Sequence, residues 1–131
     1  MNTDKLVSTL RARLSNLLAI YMFGSQASGD AGPDSDLDLA VLVTGKLDPL
    51  HTWELAGELA DIAGCPVDLV DLRAASTVMQ YQVISKGICL WSLDVQAGLY
   101  ECFIVSEKLA LDEARAGLIA DIRNEGRIHA R

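Results

Sequence analysis

The chain has 131 residues, half of them hydrophobic and 22% charged, which suits one compact domain (residues 1–131) with an ordinary core rather than two domains or a disordered polymer. Eighteen acidic residues against eleven basic ones give a formal charge of −7, which argues against general nucleic-acid binding, since that depends on clustered Lys and Arg. The apolar run Leu17–Phe23 is far short of the ~20 residues needed to cross a bilayer, and the opening Met1-Asn2-Thr3-Asp4-Lys5 lacks the basic-then-apolar order of a secretory leader. A cytoplasmic protein with no membrane attachment is the expectation. Cys65, Cys89 and Cys102 are odd in number, widely spaced and set among apolar residues, so they read as small buried hydrophobes rather than a disulfide framework or zinc site.

Leu6, Val7, Leu10, Leu14, Leu17 and Leu18 recur at helical spacing behind an N-cap at Asn2 or Thr3, so the chain opens with an amphipathic helix. Leu18 to Phe23 reads as a buried strand that stops at Gly24. From Gly24 to Ser35 the composition turns to Gly, Ser, Asp, Ala and one Pro, enough for turns and a short helical piece but not for a core. LDLAVLV, Leu37 to Val43, is the clearest strand, with Leu37, Leu39, Val41 and Val43 on one face and Asp38, Ala40 and Leu42 on the other. Asp48-Pro49 starts a second helix that runs through Leu50, Trp53, Leu55, Leu59 and Ile62 until Gly64 stops it. Pro66 to Leu72 is an alternating strand, Ser76 to Ser85 a third helix closed by Gly87, and Ile88 to Leu93 a further strand. From about Asp94 to the end, Val95, Leu99, Cys102, Phe103, Leu109, Leu118 and Ile122 form helical stripes, with Gly117 and Gly126 as points of fraying. Arg115, Arg123, Arg127 and Arg131 alternate there with Asp121 and Glu125, the pattern of a solvated helix face.

Gly24-Ser25 is followed by ten residues and then Asp36-Leu37-Asp38. Side chains two apart on a strand project together, so Asp36 and Asp38 share a patch at the strand's start. Adjacent carboxylates repel unless a cation lies between them, and hard oxygen ligands suit Mg²⁺, which keeps positions for substrate phosphates. Gly24 lets backbone approach a ligand closely, and Ser25 offers both a hydroxyl and an N–H to phosphate oxygens. Asp68, among Val67, Leu69 and Val70, is costly to bury without a partner and is the candidate third ligand. If its strand lies beside the Asp36/Asp38 strand, the three could hold two metal ions ~3.5–4 Å apart for nucleotidyl transfer, one activating an attacking hydroxyl and the other stabilising pyrophosphate. Asp71 has the opposite parity and reads as a strand-end solvent or cap residue.

FGSQASGDAGPDSDLDLAVLV, Phe23 to Val43, resembles the signature of the polymerase-β-type nucleotidyltransferases, with PVDLVDL supplying the third Asp. Within that superfamily the chain resembles the minimal nucleotidyltransferase (MNT) antitoxins encoded beside HEPN-domain ribonuclease toxins. The resemblance implies an α+β nucleotidyltransferase fold, a mixed sheet flanked by helices with a C-terminal helix over about 94–131. It also implies ATP as co-substrate, two Mg²⁺ ions, and transfer of AMP to a tyrosine of the HEPN toxin within a hetero-oligomer. By position, Gly24 and Ser25 would hold the triphosphate, Asp36 and Asp38 would bind the metals, and Asp68 would complete the site and help activate the incoming hydroxyl. Relatives often carry arginine where this chain has Gln26 and Ser28, so a module that neutralises the toxin by direct binding, with little or no catalysis, is the alternative. The short chain leaves no room for the large helical substrate domain of aminoglycoside nucleotidyltransferases.

His51 and His129 have no partner at metal-ligand spacing and read as surface or capping residues. Trp53 and Trp91 read as core or interface aromatics, and Tyr21, Tyr81 and Tyr100 as core or rim.

Overall fold

The computed structural model describes residues 2–29, 32 and 35–129, with side chains described as far as residue 118. The elements run α1 (Thr3–Arg13), β1 (Leu17–Phe23), α2 (Ser25–Ser28), β2 (Leu37–Val43), α3 (Pro49–Ala63), β3 (Val67–Asp71), a 3₁₀ turn (Leu72–Ala74), α4 (Thr77–Lys86), β4 (Ile88–Ser92) and α5 (Val95–His129). The caps follow the chemistry expected of them. Asn2 Oδ1 accepts from the Lys5 N–H at 3.1 Å, Asp48 Oδ2 from the His51 N–H at 3.2 Å, and Ser76 Oγ from the Met79 N–H at 3.1 Å. The C-terminal helix continues through Gly117 and Gly126. Arg123, Arg127, Arg131, Asp121, Glu125 and His129 lie outside the described side chains.

The four strands form one mixed sheet in the order β3-β2-β1-β4. β1 pairs antiparallel with β2 and with β4, while β2 and β3 are parallel. The parallel pair requires a crossover, which α3 supplies. Period-2 alternation then divides the core. Leu37, Leu39, Val41, Val43, Ile20 and Leu69 face Leu6 and Leu10 of α1 and Leu55 and Leu59 of α3. Ala19, Tyr21, Ala40 and Leu42 face Val83 of α4 and Ala97 of α5. The fold is therefore α+β in three layers. Among the described residues no helix is long and apolar enough to cross a membrane.

Several expectations change in three dimensions. All three cysteines are free thiols; Cys65 is half-buried and packs against the core, whereas Cys89 and Cys102 are exposed rather than core residues. Cys89 lies on the edge strand β4 and Cys102 on an outward face of α5, so neither position has a second layer to cover it. Trp53 is 75% exposed on α3 and is no part of the core. Trp91 is half-buried beneath the Arg11 guanidinium, 4.8 Å from its ring centre. On α5, Ala97, Tyr100 and Ile104 face inward, leaving Val95, Leu99 and Phe103 outside.

Tyr21 fills the layer between sheet and α5, and its hydroxyl donates to Glu101 Oε1 at 2.7 Å. Burial, then the Glu101 charge, holds this phenol protonated far above the ordinary tyrosine range. Tyr21→Phe deletes the donor and leaves a half-buried carboxylate without it, so unfolding in urea should show a loss of about 1.5–3 kcal/mol. An unchanged midpoint and slope would mean that Glu101 finds water instead.

Candidate active site

β1 ends at Phe23, and the chain turns at Gly24, with φ 72° and ψ −154°, into the single turn of α2. The Ala27 and Ser28 N–H groups both donate back to the Gly24 carbonyl at 3.1 Å. Across the sheet, Phe23 opposes Asp38 on β2, and Asp38 adjoins Asp68 on β3 in parallel register. In-register neighbours of a sheet point to the same face. Asp38 and Asp68 therefore project with Ala40, Leu42 and Val70 toward the α4/α5 layer, and Asp36, two residues before Asp38, has the same parity.

Burial raises the Asp38 carboxyl above its ordinary range, and the charges of Asp68 and Asp36 raise it further. The charges of Asp36 and Asp68 thus reach Asp38. Gly24 adjoins the same carboxylate, because a Cβ there would overlap Asp38 Oδ2. Among the described residues no three His, Cys, Asp or Glu side chains are grouped tightly enough to hold a metal ion as they stand. Asp36 and Asp68 are exposed, so packing does not fix their rotamers, and rotation about χ1 and χ2 is what would draw them toward Asp38. The donor set is all carboxylate oxygen, which fits Mg²⁺ and disfavours soft metals.

Asp68 is found on this face, but not as a buried charge in need of a partner. β3 is an edge strand, and Asp68 is exposed. Asp71 points to the other face, as its parity requires, and is half-buried rather than solvated. Its Oδ2 accepts from the Leu47 N–H at 3.3 Å, and its Oδ1 is buried without a hydrogen-bond partner. A cavity of about 570 Å³ lies on that side, between α3 and β3, with Leu47, Trp53, Leu69 and Asp71 in its wall. It reaches Asp68 only at the strand edge and lies behind the sheet from the carboxylate patch.

Sequence reasoning passes over the second role of Gly87. As a helix stop it needs no special conformation, since its φ is −79°. Its lack of a side chain matters for proximity: a Cβ would overlap the Val83 carbonyl oxygen and stand 2.9 Å from that of Met22. The end of α4 is thereby pressed against β1 two residues before Gly24. No local pattern distinguishes such a close-approach glycine from an ordinary helix terminator.

The chain matches the family model described as polymerase beta, nucleotidyltransferase, over residues 4–96, a span that contains all five candidate residues. The chain belongs to the polymerase beta nucleotidyltransferase family. Within this nucleotidyltransferase family, it is 38% identical over 122 residues to the protein adenylyltransferase MntA of Shewanella oneidensis, covering 93% of this chain and 88% of that protein. It is 28% identical over 109 residues to an aminoglycoside (3'')(9) adenylyltransferase of Klebsiella pneumoniae, of which it spans only 40%. Among solved structures, a toxin–antitoxin complex with AMP-PNP superposes with a TM-score of 0.83 at 38% identity, covering 93% of this chain and 98% of that one. A complex of MNT antitoxin with tri-AMPylated HEPN toxin from Shewanella oneidensis gives 0.76 at 37% identity, covering 92% and 95%.

Proposed function

We propose that this nucleotidyltransferase is an antitoxin that transfers AMP from ATP to a tyrosine of a HEPN ribonuclease toxin. The observation that carries the reading is the in-register placement of Asp38 beside Asp68, with Asp36 on the same face and the Gly24-Ser25 turn against them. Gly24 and Ser25 bind the triphosphate through backbone N–H groups and the Ser25 hydroxyl. Asp36 and Asp38, with Asp68, would hold Mg²⁺. When bound there, Mg²⁺ would supply charge neutralisation for the triphosphate and the leaving pyrophosphate. The tyrosine oxygen forms a bond to the α-phosphorus, the bond from that phosphorus to the bridging oxygen of the β-phosphate breaks, and pyrophosphate departs with the electron pair. Asp68, exposed on the edge strand, would accept the hydroxyl proton from an acceptor arriving from outside the sheet. The apolar Val95, Leu99 and Phe103, left outside on α5, suit a chain that works in complex with a protein partner.

The test is the intact mass of a co-expressed HEPN partner after incubation with ATP and Mg²⁺. Wild-type chain should add mass in AMP steps, and Asp36→Ala/Asp38→Ala should add none. A toxin silenced equally by both, with no mass gain, would replace this reading by one in which the fold neutralises through binding alone.

A further inference from the structure

The nucleotide site as described has a charge deficit. A triphosphate brings several negative charges to a patch that already holds three carboxylates, and divalent metal offsets only part of them. The local chain offers no help: from Leu14 to Leu72 the sequence contains no Arg and a single Lys, Lys46. Lys46 lies past the far end of β2, and the distance from Asp38 to that end is about 16 Å at strand rise. Lys5, Arg11 and Arg13 belong to α1, which packs on the opposite face of the sheet, so a cation of this chain for the phosphates comes from its second half.

Arg73, at the same far end, donates to the Val43 carbonyl oxygen at 3.2 Å. Lys108 is bound to Asp112 at 2.7 Å and lies over the Tyr81 ring. Lys86 differs from both. It is the last residue of α4, exposed, and its side chain has no hydrogen bond or ion pair among the described residues. Gly87 fixes the backbone beside it against the Met22 carbonyl. Ile88, two residues on, pairs with Met22, next to the Phe23 that opposes Asp38. Two strand spacings, about 10 Å, separate that point from Asp38.

The helix also presents Lys86 on a suitable flank. α4 runs obliquely beneath the sheet, from the end of β3 to the start of β4. Gln80 and Tyr81 meet α5, through Tyr100 and Lys108 respectively. At 3.6 residues per turn, Lys86 is rotated by roughly 120–140° from both, and by about 60° from the inward-facing Val83. α4 packs on β1 and β4, on the sheet face that carries Asp38 and Asp68, and Lys86 lies on its flank turned away from α5.

We propose that Lys86 is a nucleotide-binding residue of this site, its ammonium contacting the β- or γ-phosphate of ATP and replacing the cations the Gly24–Gly29 turn lacks. The lysine acts as a mobile point charge, drawn to the departing pyrophosphate more than to the adenosine. The inference rests on the nucleotidyltransferase reading above and deepens it.

The experiment is titration calorimetry of the full chain with AMP-PNP and with AMP, each with Mg²⁺, for wild type, Lys86→Ala and Lys86→Arg. A charge-assisted contact to phosphate predicts about tenfold weaker AMP-PNP binding for Lys86→Ala, near-complete recovery in Lys86→Arg, and AMP binding equal in all three. In transfer assays the ATP KM should rise in Lys86→Ala with a smaller change in kcat. Equal AMP-PNP affinity for wild type and Lys86→Ala would overturn the role of Lys86 and leave the nucleotide site standing. No AMP-PNP binding by wild type would overturn the site itself. A Lys86→Ala chain that loses AMP and AMP-PNP binding together would mark a structural role, which melting temperatures of the two variants would corroborate.

Discussion

Asp38→Asn should reduce AMP transfer by at least about a hundredfold, because it removes the carboxylate proposed as the central metal ligand, and a metal-assisted step loses several kcal/mol of charge stabilisation with it. The same substitution should make the metal-free protein more stable at neutral pH. Burial, then Asp68 and Asp36, raises the folded-state pKa of Asp38 above its usual 3.8, so the folded chain binds that proton more tightly than the unfolded chain does. The stability this group contributes is complete below the unfolded value and is lost as pH rises through the raised folded value. Asparagine carries no such dependence. In EDTA, melting curves of wild type and Asp38→Asn should therefore diverge as pH rises from 4 to 7, with the variant melting higher at pH 7. Mg²⁺ should raise the wild-type melting temperature and leave the variant's almost unchanged. A variant that melts lower at pH 7 without metal would mean that Asp38 anchors the fold rather than the reaction.

That opposition between stability and activity explains why the site was legible in the sequence at all. Two carboxylates at strand spacing after a Gly-Ser turn have no packing purpose, so the pattern shows through even in a chain read without its fold. The strands were equally legible, because Leu37, Leu39, Val41 and Val43 alternate with Asp38, Ala40 and Leu42, and the two layers of the core follow that parity residue by residue. Sheet order was not. Asp68 joins Asp38 only because β3 pairs with β2 as an edge strand, and no spacing along the chain encodes which strands become neighbours. Asp68 reads in the sequence as a charge costly to bury, and the edge position of β3 removes that cost by leaving it exposed. Trp53, Cys89 and Cys102 show the same limit from the other side: hydrophobicity marks them for a core, but whether a second layer arrives to cover them is decided by long-range packing. Lys86 carries no motif at all, and only the placement of α4 against β1 gives it meaning.

Gly24→Ala tests the geometry of the turn separately from its charge. The backbone at Gly24 lies in a region open in practice only to glycine, at φ 72° and ψ −154°, so alanine should cost about 1–3 kcal/mol. Its Cβ would also occupy the position of Asp38 Oδ2, so either the turn or the carboxylate must move. Transfer should then fall by two orders of magnitude or more, as with loss of the carboxylate itself, since roughly 1 Å of misplacement can cost about a hundredfold. Gly29→Ala separates strain from collision. Gly29 also has positive φ, 84°, but a Cβ there meets nothing within 4 Å. It should lower the melting temperature by several degrees while leaving transfer within a fewfold of wild type. If Gly29→Ala removed transfer as completely as Gly24→Ala, rigidity of the whole turn would matter more than the contact between Gly24 and Asp38. If both variants kept full transfer, the nucleotide would have to be held by residues other than this turn.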